Sequence, residues 1–196
     1  MGETALTRER VLATAEDVLR RYGPAKATVL DVAQALGVSH GSVYRHFASK
    51  AELRDAVLRG WLERVSAPLQ AIADSRAAPP RRLRHWLTAL RDTKRGKVSS
   101  DPELFATYGV LAAEAREVID EHVGGLIAQI AQIVEAGKAS GDFRLVEATA
   151  TATAIFHATA RFHHPSMAQH WTGSGEDVAF ETLLGLLLQG VLLPLR

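Results

Sequence analysis

Residues 28–53 read TVLDVAQALGVSHGSVYRHFASKAEL, and this stretch decides the fold of the chain. In its first half, apolar residues recur at three- and four-residue spacing up to Leu36, which predicts a short amphipathic helix. Gly37 follows, at a position where helix ends often adopt the left-handed backbone that glycine tolerates. Val43 and Phe47 then share one face of a second short helix. Two short helices joined by a tight turn are typical of a helix-turn-helix, whose second helix enters the DNA major groove.

Capping signals mark the helix starts in this stretch. Thr28 and Asp31 have the form of a capping box, and Ser39 is a suitable N-cap for the second helix. Ser49 and Glu52 form another capping box, which predicts a longer helix beginning at about residue 50.

Two residues at predicted helix starts are candidates for phosphate contact. Lys50 lies in the first turn of the long helix, where a positive charge opposes the helix dipole, so a DNA phosphate is its natural partner. Thr28 can offer its hydroxyl and backbone N–H to a phosphate, or it can act as the cap alone. Both roles are open.

The second short helix carries the candidates for reading DNA. Its outward or flanking residues are Ser39, His40, Gly41, Ser42, Tyr44, Arg45 and His46. Ser39, His40 and Ser42 lie where a recognition helix meets base edges, with His40 the main candidate for sequence choice. Gly41 permits close approach of the backbone. Arg45 can instead pair with an acid, and His46 can lie between the DNA-binding head and the rest of the protein.

Residues 28–53 fit T-x-x-D-V-A-x-x-x-G-V-S-x-G-S-V-Y-x-H-F-x-S-K-x-x-L, which resembles the DNA-binding signature of the tetracycline-repressor (TetR) family. Residues 8–22, followed by Gly23, resemble the family's first helix. The resemblance implies an all-α fold with a three-helix DNA-binding head (residues 1–50) and a larger helical body for effector binding and dimerisation (residues 51–196). It also implies that Tyr44 touches a phosphate.

Composition limits the other function classes. Hydrophobic residues make up 47% of the 196, enough for a substantial core, and cysteine is absent, which rules out disulfides and thiolate catalysis. No apolar signal segment opens the sequence, and the longest apolar run, residues 183–195, is interrupted and too short to span a bilayer. We expect a cytoplasmic protein with no membrane contact and no cofactor.

Charge permits DNA binding without requiring it. The net charge is +1, and residues 1–64 hold ten Lys and Arg against eight Asp and Glu. A separate basic run comprises Arg76, Arg81, Arg82, Arg84, Arg91, Lys94, Arg95 and Lys97. This run can be a second nucleic-acid surface, a site for an anionic ligand or a solvated helix face, and the solvated face is the commonest case.

The remaining sequence predicts further helices and no strands. We expect a long helix to about residue 73 and a helix over about 81–96. One or two helices follow to 139, with a bend near Gly109, and Gly141 ends them. Helices at 149–162 and 176–193, separated by a loop at 166–175, complete the pattern.

The last two helices are the predicted dimer elements. The final helix is apolar over too wide an arc for a surface helix, and the one before it has small residues that allow close packing. The predicted interface comprises Ala154, Ala158, Phe180, Leu184, Leu187, Leu188 and Val191. The alternative is that both helices close the core of a single subunit. Symmetric DNA sites require two heads, which favours the homodimer.

The body contains candidate residues for an effector pocket and a group of histidines near its C-terminal end. A pocket in the body is implied by the resemblance, and its candidate lining is Trp61, Trp86, Phe105, Tyr108, Leu111, Phe156 and Phe162. Each can equally be core, and an apolar pocket suits a small hydrophobic or aromatic molecule. His157, His163, His164 and His170 cluster in sequence, but His157 and His163 do not share a helix face. We therefore predict no metal site.

The favoured function is a dimeric, ligand-responsive repressor that binds double-stranded operator DNA. A ligand-independent or activating regulator of the same fold is an alternative. An all-helical enzyme could use the histidines or Asp101 and Glu103, but these lack a nucleophile with a base at suitable spacing. A helical module that binds other proteins is a further alternative. It does not explain why Tyr44 and Lys50 accompany Gly41, which permits close approach of the helix backbone.

Overall fold

The computed structural model describes residues 6–171, 173 and 175–192, and within this part the chain is helical. The α-helices are α1 (Arg8–Lys26), α2 (Val29–Leu36), α3 (His40–Tyr44), α4 (Lys50–Ala73), α5 (Pro79–Ser100), α6 (Pro102–Glu114), α7 (Arg116–Ser140), α8 (Ala148–Ala158) and α9 (Glu176–Val191). Two 3-10 helices cover Ala160–Phe162 and Pro165–His170. No strand occurs in the described part, where one isolated antiparallel bridge joins Phe143 and Leu192. The all-α prediction is confirmed.

The chain forms two compact units. One comprises the residues up to Glu63 together with Asp101–Asp120, and the other comprises Arg64–Ser100 together with the residues from Glu121 onward. Helix α6 therefore packs with the N-terminal helices although it lies far from them in sequence. The functional boundary after residue 50 stays a prediction.

The first unit has its own apolar core. Val11, Ala15, Val18 and Leu19 of α1 are buried, at the three- and four-residue spacing expected of one helix face. The α1 helix is interrupted at Gly23, whose φ of 72° lies in the left-handed region that glycine tolerates.

Helices α3, α4 and α6 complete this core. Val43 is fully buried and Phe47 is 1% exposed, so their inward orientation is confirmed. The ring of Tyr108 in α6 stacks on Trp61 in α4 with 4.3 Å between centroids. This aromatic pair fixes α6 to the last turns of α4 within the first unit.

The second unit is built around buried residues of α4, α5, α7, α8 and α9. The indole N–H of Trp86 in α5 donates to Oε1 of Gln129 in α7 at 2.9 Å, a hydrogen bond that satisfies both groups inside the core. Gly137 lies directly beside the Phe143 ring, which is 1% exposed. A β-carbon at Gly137 has no room, so glycine is required there for close packing. Gly141 has a φ of 75° and ends α7 as predicted.

Three predicted boundaries are wrong. Gly109 lies inside α6, and the break falls instead at Ala115, which is buried and non-helical (φ −106°, ψ 60°). Glycine permits a bend, but packing decides where it occurs. Helix α8 ends at Ala158, because Thr159 leaves the helical backbone and bonds the carbonyl of Ile155 through its hydroxyl. The second 3-10 helix, Pro165–His170, overlaps the first part of the predicted loop at 166–175.

Candidate nucleic-acid interface

The N-terminus of α2 is held by a reciprocal capping box. The hydroxyl of Thr28 donates to Oδ2 of Asp31 at 2.7 Å, and the Thr28 backbone N–H donates to the same oxygen at 2.8 Å. In return, the Asp31 N–H donates to the Thr28 hydroxyl at 3.1 Å. The predicted cap is confirmed. Both donors of Thr28 are thus engaged with Asp31, so a phosphate contact by Thr28 requires an exchange of partners.

The capping hydrogen bonds also determine the ionisation of Asp31. Hydrogen bonds from the Thr28 hydroxyl and then from its backbone N–H lower the pKa of Asp31, and the positive charge of Lys50 adds to this effect. The contribution of Lys50 places its ammonium group within electrostatic reach of the start of α2.

Helix α3 presents a small polar surface. Ser39 caps the helix by accepting the Ser42 N–H at 3.2 Å, and the two hydroxyls are 2.8 Å apart. Arg45 donates to the Ser42 hydroxyl at 3.1 Å. This chain of hydrogen bonds holds Ser39, Ser42 and Arg45 together along one edge of α3. The Arg45 guanidinium is thus oriented by the Ser42 hydroxyl. The alternative considered from the sequence was pairing with an acidic side chain.

His40, Gly41 and Tyr44 are exposed on α3. The rings of His40 and Tyr44 meet edge to face with 4.8 Å between centroids. The ring contact restricts the rotamers of both side chains and presents them as one aromatic ridge beside Gly41. His46 is half-buried just beyond α3.

Arg8, which sequence reasoning missed, braces the end of α3. Its guanidinium donates to the His46 carbonyl at 2.7 Å and lies 4.1 Å from the centroid of the Phe47 ring. It also lies 3.6 Å from Glu52, an acid in the first turn of α4. Arg8 therefore ties the start of α1 to the segment between α3 and α4.

Lys50 and Thr28, predicted separately as phosphate contacts, lie together. Both line a small depression of about 20 Å³, and Arg54 joins them there. Arg54 was missed, although its position one turn after Lys50 on α4 is the signal that could have found it. Its guanidinium is 2.7 Å from the Glu114 carboxylate at the end of α6. This surface therefore carries the cationic side chains of Lys50 and Arg54, and Arg54 is paired with Glu114.

The predicted effector-pocket residues divide between the two units. Trp61, Phe105, Tyr108 and Leu111 belong to the core of the first unit or pack against it. Trp86, Phe156 and Phe162 belong to the core of the second. Each group packs with its own unit, and the pocket stays a prediction.

The predicted dimer residues are not all on the surface. Phe180, Leu184, Leu188 and Val191 are buried in the core of a single subunit, with exposures between 0% and 8%. Leu187 packs partly buried against the same core. These five side chains complete the apolar core of one subunit. The apolar arc of α9 is wide enough to serve a second surface as well.

The exposed side chains of α8 and α9 differ in part from the predicted interface residues. Val178 and Leu186 are 72% and 62% exposed on α9, and Ala154 and Ala158 are exposed on α8. Ala154 and Ala158 belong to the prediction, whereas Val178 and Leu186 were missed. The sequence shows that α9 is apolar over a wide arc, but it does not show which part of the arc faces inward.

The four clustered histidines separate in the structure. His163 is buried, whereas His157, His164 and His170 are exposed. Within the described residues, no group of three or more His, Asp or Glu side chains has an arrangement that could hold a metal ion. Asp101, an alternative catalytic candidate, caps α6 by accepting the Leu104 N–H at 3.0 Å.

The basic run is not simply a solvated face. Arg95 donates to Asp177 at 2.6 Å, and Arg84 donates to Glu181 at the same distance, so α5 pairs with acids of α9. Lys94 lies between these arginines in sequence but is only 6% exposed. The expectation of a solvated face is wrong for Lys94, whereas Arg84 is exposed and pairs with Glu181 at the surface.

Two family profiles match the chain. One, described as bacterial regulatory proteins of the tetR family, matches residues 11–57, and the other, described as a tetracyclin repressor-like C-terminal domain, matches residues 79–184. The second alone covers more than half of the chain. The protein therefore belongs to the tetracycline-repressor family. None of the helices in the described part is long and apolar enough to cross a membrane.

Curated relatives are named transcriptional repressors. KstR2 of Mycobacterium tuberculosis is 39% identical over 82 residues, which is 42% of this chain and 41% of that protein. The match thus spans about two fifths of this relative. KstR2 of Rhodococcus jostii is 27% identical over 200 residues, covering 95% of this chain and 92% of its own length.

Solved structures share the fold. SmeT, the repressor of a Stenotrophomonas maltophilia multidrug efflux pump, has a TM-score of 0.67 at 18% identity, covering 97% of this chain and 93% of its own. The fatty acid degradation regulator FadR of Bacillus halodurans has a TM-score of 0.63 at 17% identity, covering 100% and 99%.

Proposed function

We propose that this protein is a sequence-specific DNA-binding transcriptional regulator that acts in the cytoplasm as a dimeric repressor. One observation carries the proposal. The exposed ridge of His40, Gly41 and Tyr44 on α3 is accompanied by Lys50 and Thr28 at the starts of neighbouring helices. Base-reading side chains on a short helix, with cationic and capping groups beside it, suit a helix-turn-helix on a DNA duplex.

Phosphate contacts and base contacts have separate roles in this proposal. Lys50 and Tyr44 position the protein on the DNA backbone, because an ammonium group and a phenol can each donate to a phosphate oxygen. His40, Ser42 and Arg45 face the base edges and set the sequence preference. Thr28 keeps Asp31 charged and in place. It contacts a phosphate when its hydroxyl or backbone N–H donates to the phosphate instead of to Asp31.

Dimerisation supplies the second head. A symmetric operator presents half-sites about 34–36 Å apart, so two copies of α3 must be held at that spacing. We assign the interface to the exposed face of α8 and α9, with Ala154, Ala158, Val178 and Leu186 at its centre. Small residues on α8 permit close approach, while Val178 and Leu186 supply apolar area that would otherwise face water.

A small effector with an apolar body releases the operator by population shift. It prefers a state in which the heads have another spacing, and it weakens DNA binding by its differential affinity for the two states. Helix α4, which begins at Lys50 and ends at Ala73, is the proposed lever.

Fluorescence anisotropy tests the function. The full chain is titrated onto the duplex that lies upstream of its own gene and onto a shuffled duplex of equal length, at two salt concentrations. We expect operator binding at least about 1,000-fold tighter than binding to the shuffled duplex. Equal affinity for the two duplexes would contradict the proposal. The double variant His40→Ala, Lys50→Ala provides the matched protein control and should lose this preference.

A further inference from the structure

The backbone between α3 and α4 is held by side chains from two different helices. The His46 carbonyl accepts from the guanidinium of Arg8 in α1 at 2.7 Å. Two residues further on, the Ala48 N–H donates to Oε2 of Glu52 in α4 at 2.7 Å. Backbone groups at helix ends need such partners, because the helix itself supplies none. The path of the chain from α3 to α4 therefore depends on Arg8 and Glu52.

These two side chains also pair with each other. Nη1 of Arg8 lies 3.6 Å from Oε1 of Glu52, so one carboxylate oxygen faces Arg8 while the other accepts from Ala48. The backbone N–H of Glu52 donates to the Ser49 hydroxyl at 3.0 Å, which fixes the first turn of α4. Arg8 and Glu52 thus form one clamp around residues 46–48.

The Phe47 ring makes the clamp specific for arginine. Phe47 is 1% exposed, and the guanidinium carbon of Arg8 lies 4.1 Å from the centroid of its ring. A planar guanidinium can stack on an aromatic face and donate hydrogen bonds from its edge at the same time. The compact ammonium group of lysine does not combine these two contacts in the same way.

The clamp lies between the residues proposed to read bases and the proposed phosphate contact at Lys50. Helix α3 spans only five residues, His40–Tyr44, and so short a helix is not stable through its own hydrogen bonds. Its direction relative to Lys50 is set by residues 46–48. Phosphate contacts fix the register of a protein on DNA, and bases are read within that register. A change at residues 46–48 therefore moves the base-reading side chains away from their targets.

The charge and exposure of the pair indicate a geometric role. The side chains of Arg8 and Glu52 are 46% and 43% exposed, and an ion pair at that exposure contributes little to overall stability. Glu52 also offsets the positive charge of Arg8, so the pair adds no net charge that would attract a phosphate. What the pair supplies is a fixed direction for α3.

We propose that Arg8 is a positioning residue for operator recognition. It acts through the His46 carbonyl and the Phe47 ring, and it holds α3 in the direction, relative to Lys50, that brings its outward side chains to the base edges. This inference rests on the proposed function, since it names a residue that gives the DNA-binding head its sequence preference without touching a base.

Fluorescence anisotropy with the operator and shuffled duplexes tests the role. Arg8→Ala should lower the ratio of operator affinity to shuffled-duplex affinity by about tenfold, similar to the effect of one mismatched base pair. Affinity for the shuffled duplex and its salt slope should stay as in the native chain, because no phosphate contact is lost. A loss of stability alone does not produce this selective effect.

Three further variants locate the effect. Arg8→Lys keeps the charge and removes the planar group, and it should leave the ratio as low as in Arg8→Ala. Arg21→Ala is the matched control, because it removes another arginine of α1 whose guanidinium carbon lies 5.3 Å from the centroid of the Tyr22 ring. It should leave the ratio unchanged. Glu52→Gln weakens the clamp from α4, so it provides a second test if Arg8→Ala fails to fold. We expect it to lower the ratio severalfold.

The outcomes separate this inference from the proposed function. A native chain that binds both duplexes equally would contradict the proposed function. If the native chain prefers the operator, an unchanged ratio in Arg8→Ala or, where that variant does not fold, in Glu52→Gln would overturn the positioning role. Equal losses on both duplexes in Arg8→Ala, with a salt slope lower by about one unit, would overturn it as well and assign Arg8 to a phosphate. Full recovery of the ratio in Arg8→Lys would exclude the contribution of the planar group and overturn the proposed mechanism.

Discussion

The hydroxyl of Thr28 donates to the carboxylate of Asp31 at 2.7 Å. This one hydrogen bond affects both the stability of α2 and the ionisation of Asp31. It caps α2 and lowers the pKa of Asp31 beside the positive charge of Lys50. A residue that resembles a DNA contact in sequence is thus also a structural cap, and the two roles can be separated by mutation.

Thr28→Ala should lower the free energy of unfolding by about 1 kcal/mol, the usual cost of removing a threonine N-cap. It should also raise the pKa of Asp31 toward its ordinary value, since the hydroxyl hydrogen bond is the largest cause of the lowering. Urea unfolding and NMR titration of the Asp31 carboxyl measure the two effects.

The pH dependence of this variant has a defined sign. A carboxyl group with a lowered pKa in the folded state stabilises the protein above its unfolded pKa, and this contribution is lost as the pH falls through the folded pKa. Thr28→Ala should therefore show a smaller loss of stability on the acid side. Thr28→Ser keeps the hydroxyl and should behave as the native chain. An unchanged Asp31 titration in Thr28→Ala would contradict the assignment.

Lys50→Ala should weaken binding to operator and shuffled DNA by a similar factor. One lost phosphate contact lowers the slope of log affinity against log salt by about one unit. Anisotropy titrations over a series of salt concentrations give the slope. Lys138→Ala is the control, because the Lys138 ammonium lies in the second unit, 2.8 Å from Glu135. A slope equal to that of the native chain would exclude the phosphate contact.

His40→Ala should change the base preference at one or two operator positions and leave the salt slope unchanged. His40 is exposed on α3, where its ring nitrogens can form hydrogen bonds with base edges. Selection from a randomised operator library measures the preference. His85→Ala, at an exposed position of α5, is the control. An identical selected sequence for native chain and His40→Ala would count against a base contact.

Leu186→Asp should dissociate the dimer by introducing a charge at the centre of the proposed interface. An unpaired buried charge costs about 3–5 kcal/mol, which is enough to shift the dimer constant more than 100-fold. Sedimentation equilibrium measures the constant. Leu145→Asp places the same charge at a side chain that is 91% exposed between α7 and α8, and it should leave the dimer intact. Equal dimer constants for the two variants would place the interface elsewhere.

Gly137→Ala should lower the free energy of unfolding by about 1–3 kcal/mol, because its methyl group would overlap the buried Phe143 ring. Gly125→Ala in the same helix has no atom near its new methyl group, and it should raise the stability by up to about 1 kcal/mol. Thermal and urea unfolding of both variants provide the comparison. A stable Gly137→Ala would mean that Phe143 packs in another rotamer.

The helix-turn-helix could be predicted from sequence because local interactions define it. The capping box at Thr28, the left-handed Gly37 and the inward pair Val43 and Phe47 all involve residues within four positions of one another. Such patterns follow from helix geometry and side-chain chemistry alone. The positions of the DNA-contact candidates on α3 could be predicted for the same reason.

Long-range packing decided the features that sequence reasoning missed. Lys94 is only 6% exposed on α5, and a basic run in the sequence does not contain that information. Arg54 meets Glu114 because α6 joins the first unit although sixty residues separate the two side chains.

The sequence by itself determined the all-α fold, the helix-turn-helix and the apolar character of the last two helices. Only the tertiary structure decided that Leu184 of α9 faces the core while Leu186 faces outward. The physical reason is that periodicity reports how apolar a helix face is, whereas burial depends on which helices lie against it. An arc wide enough to cover two surfaces is divided between them only when the neighbouring helices are in place.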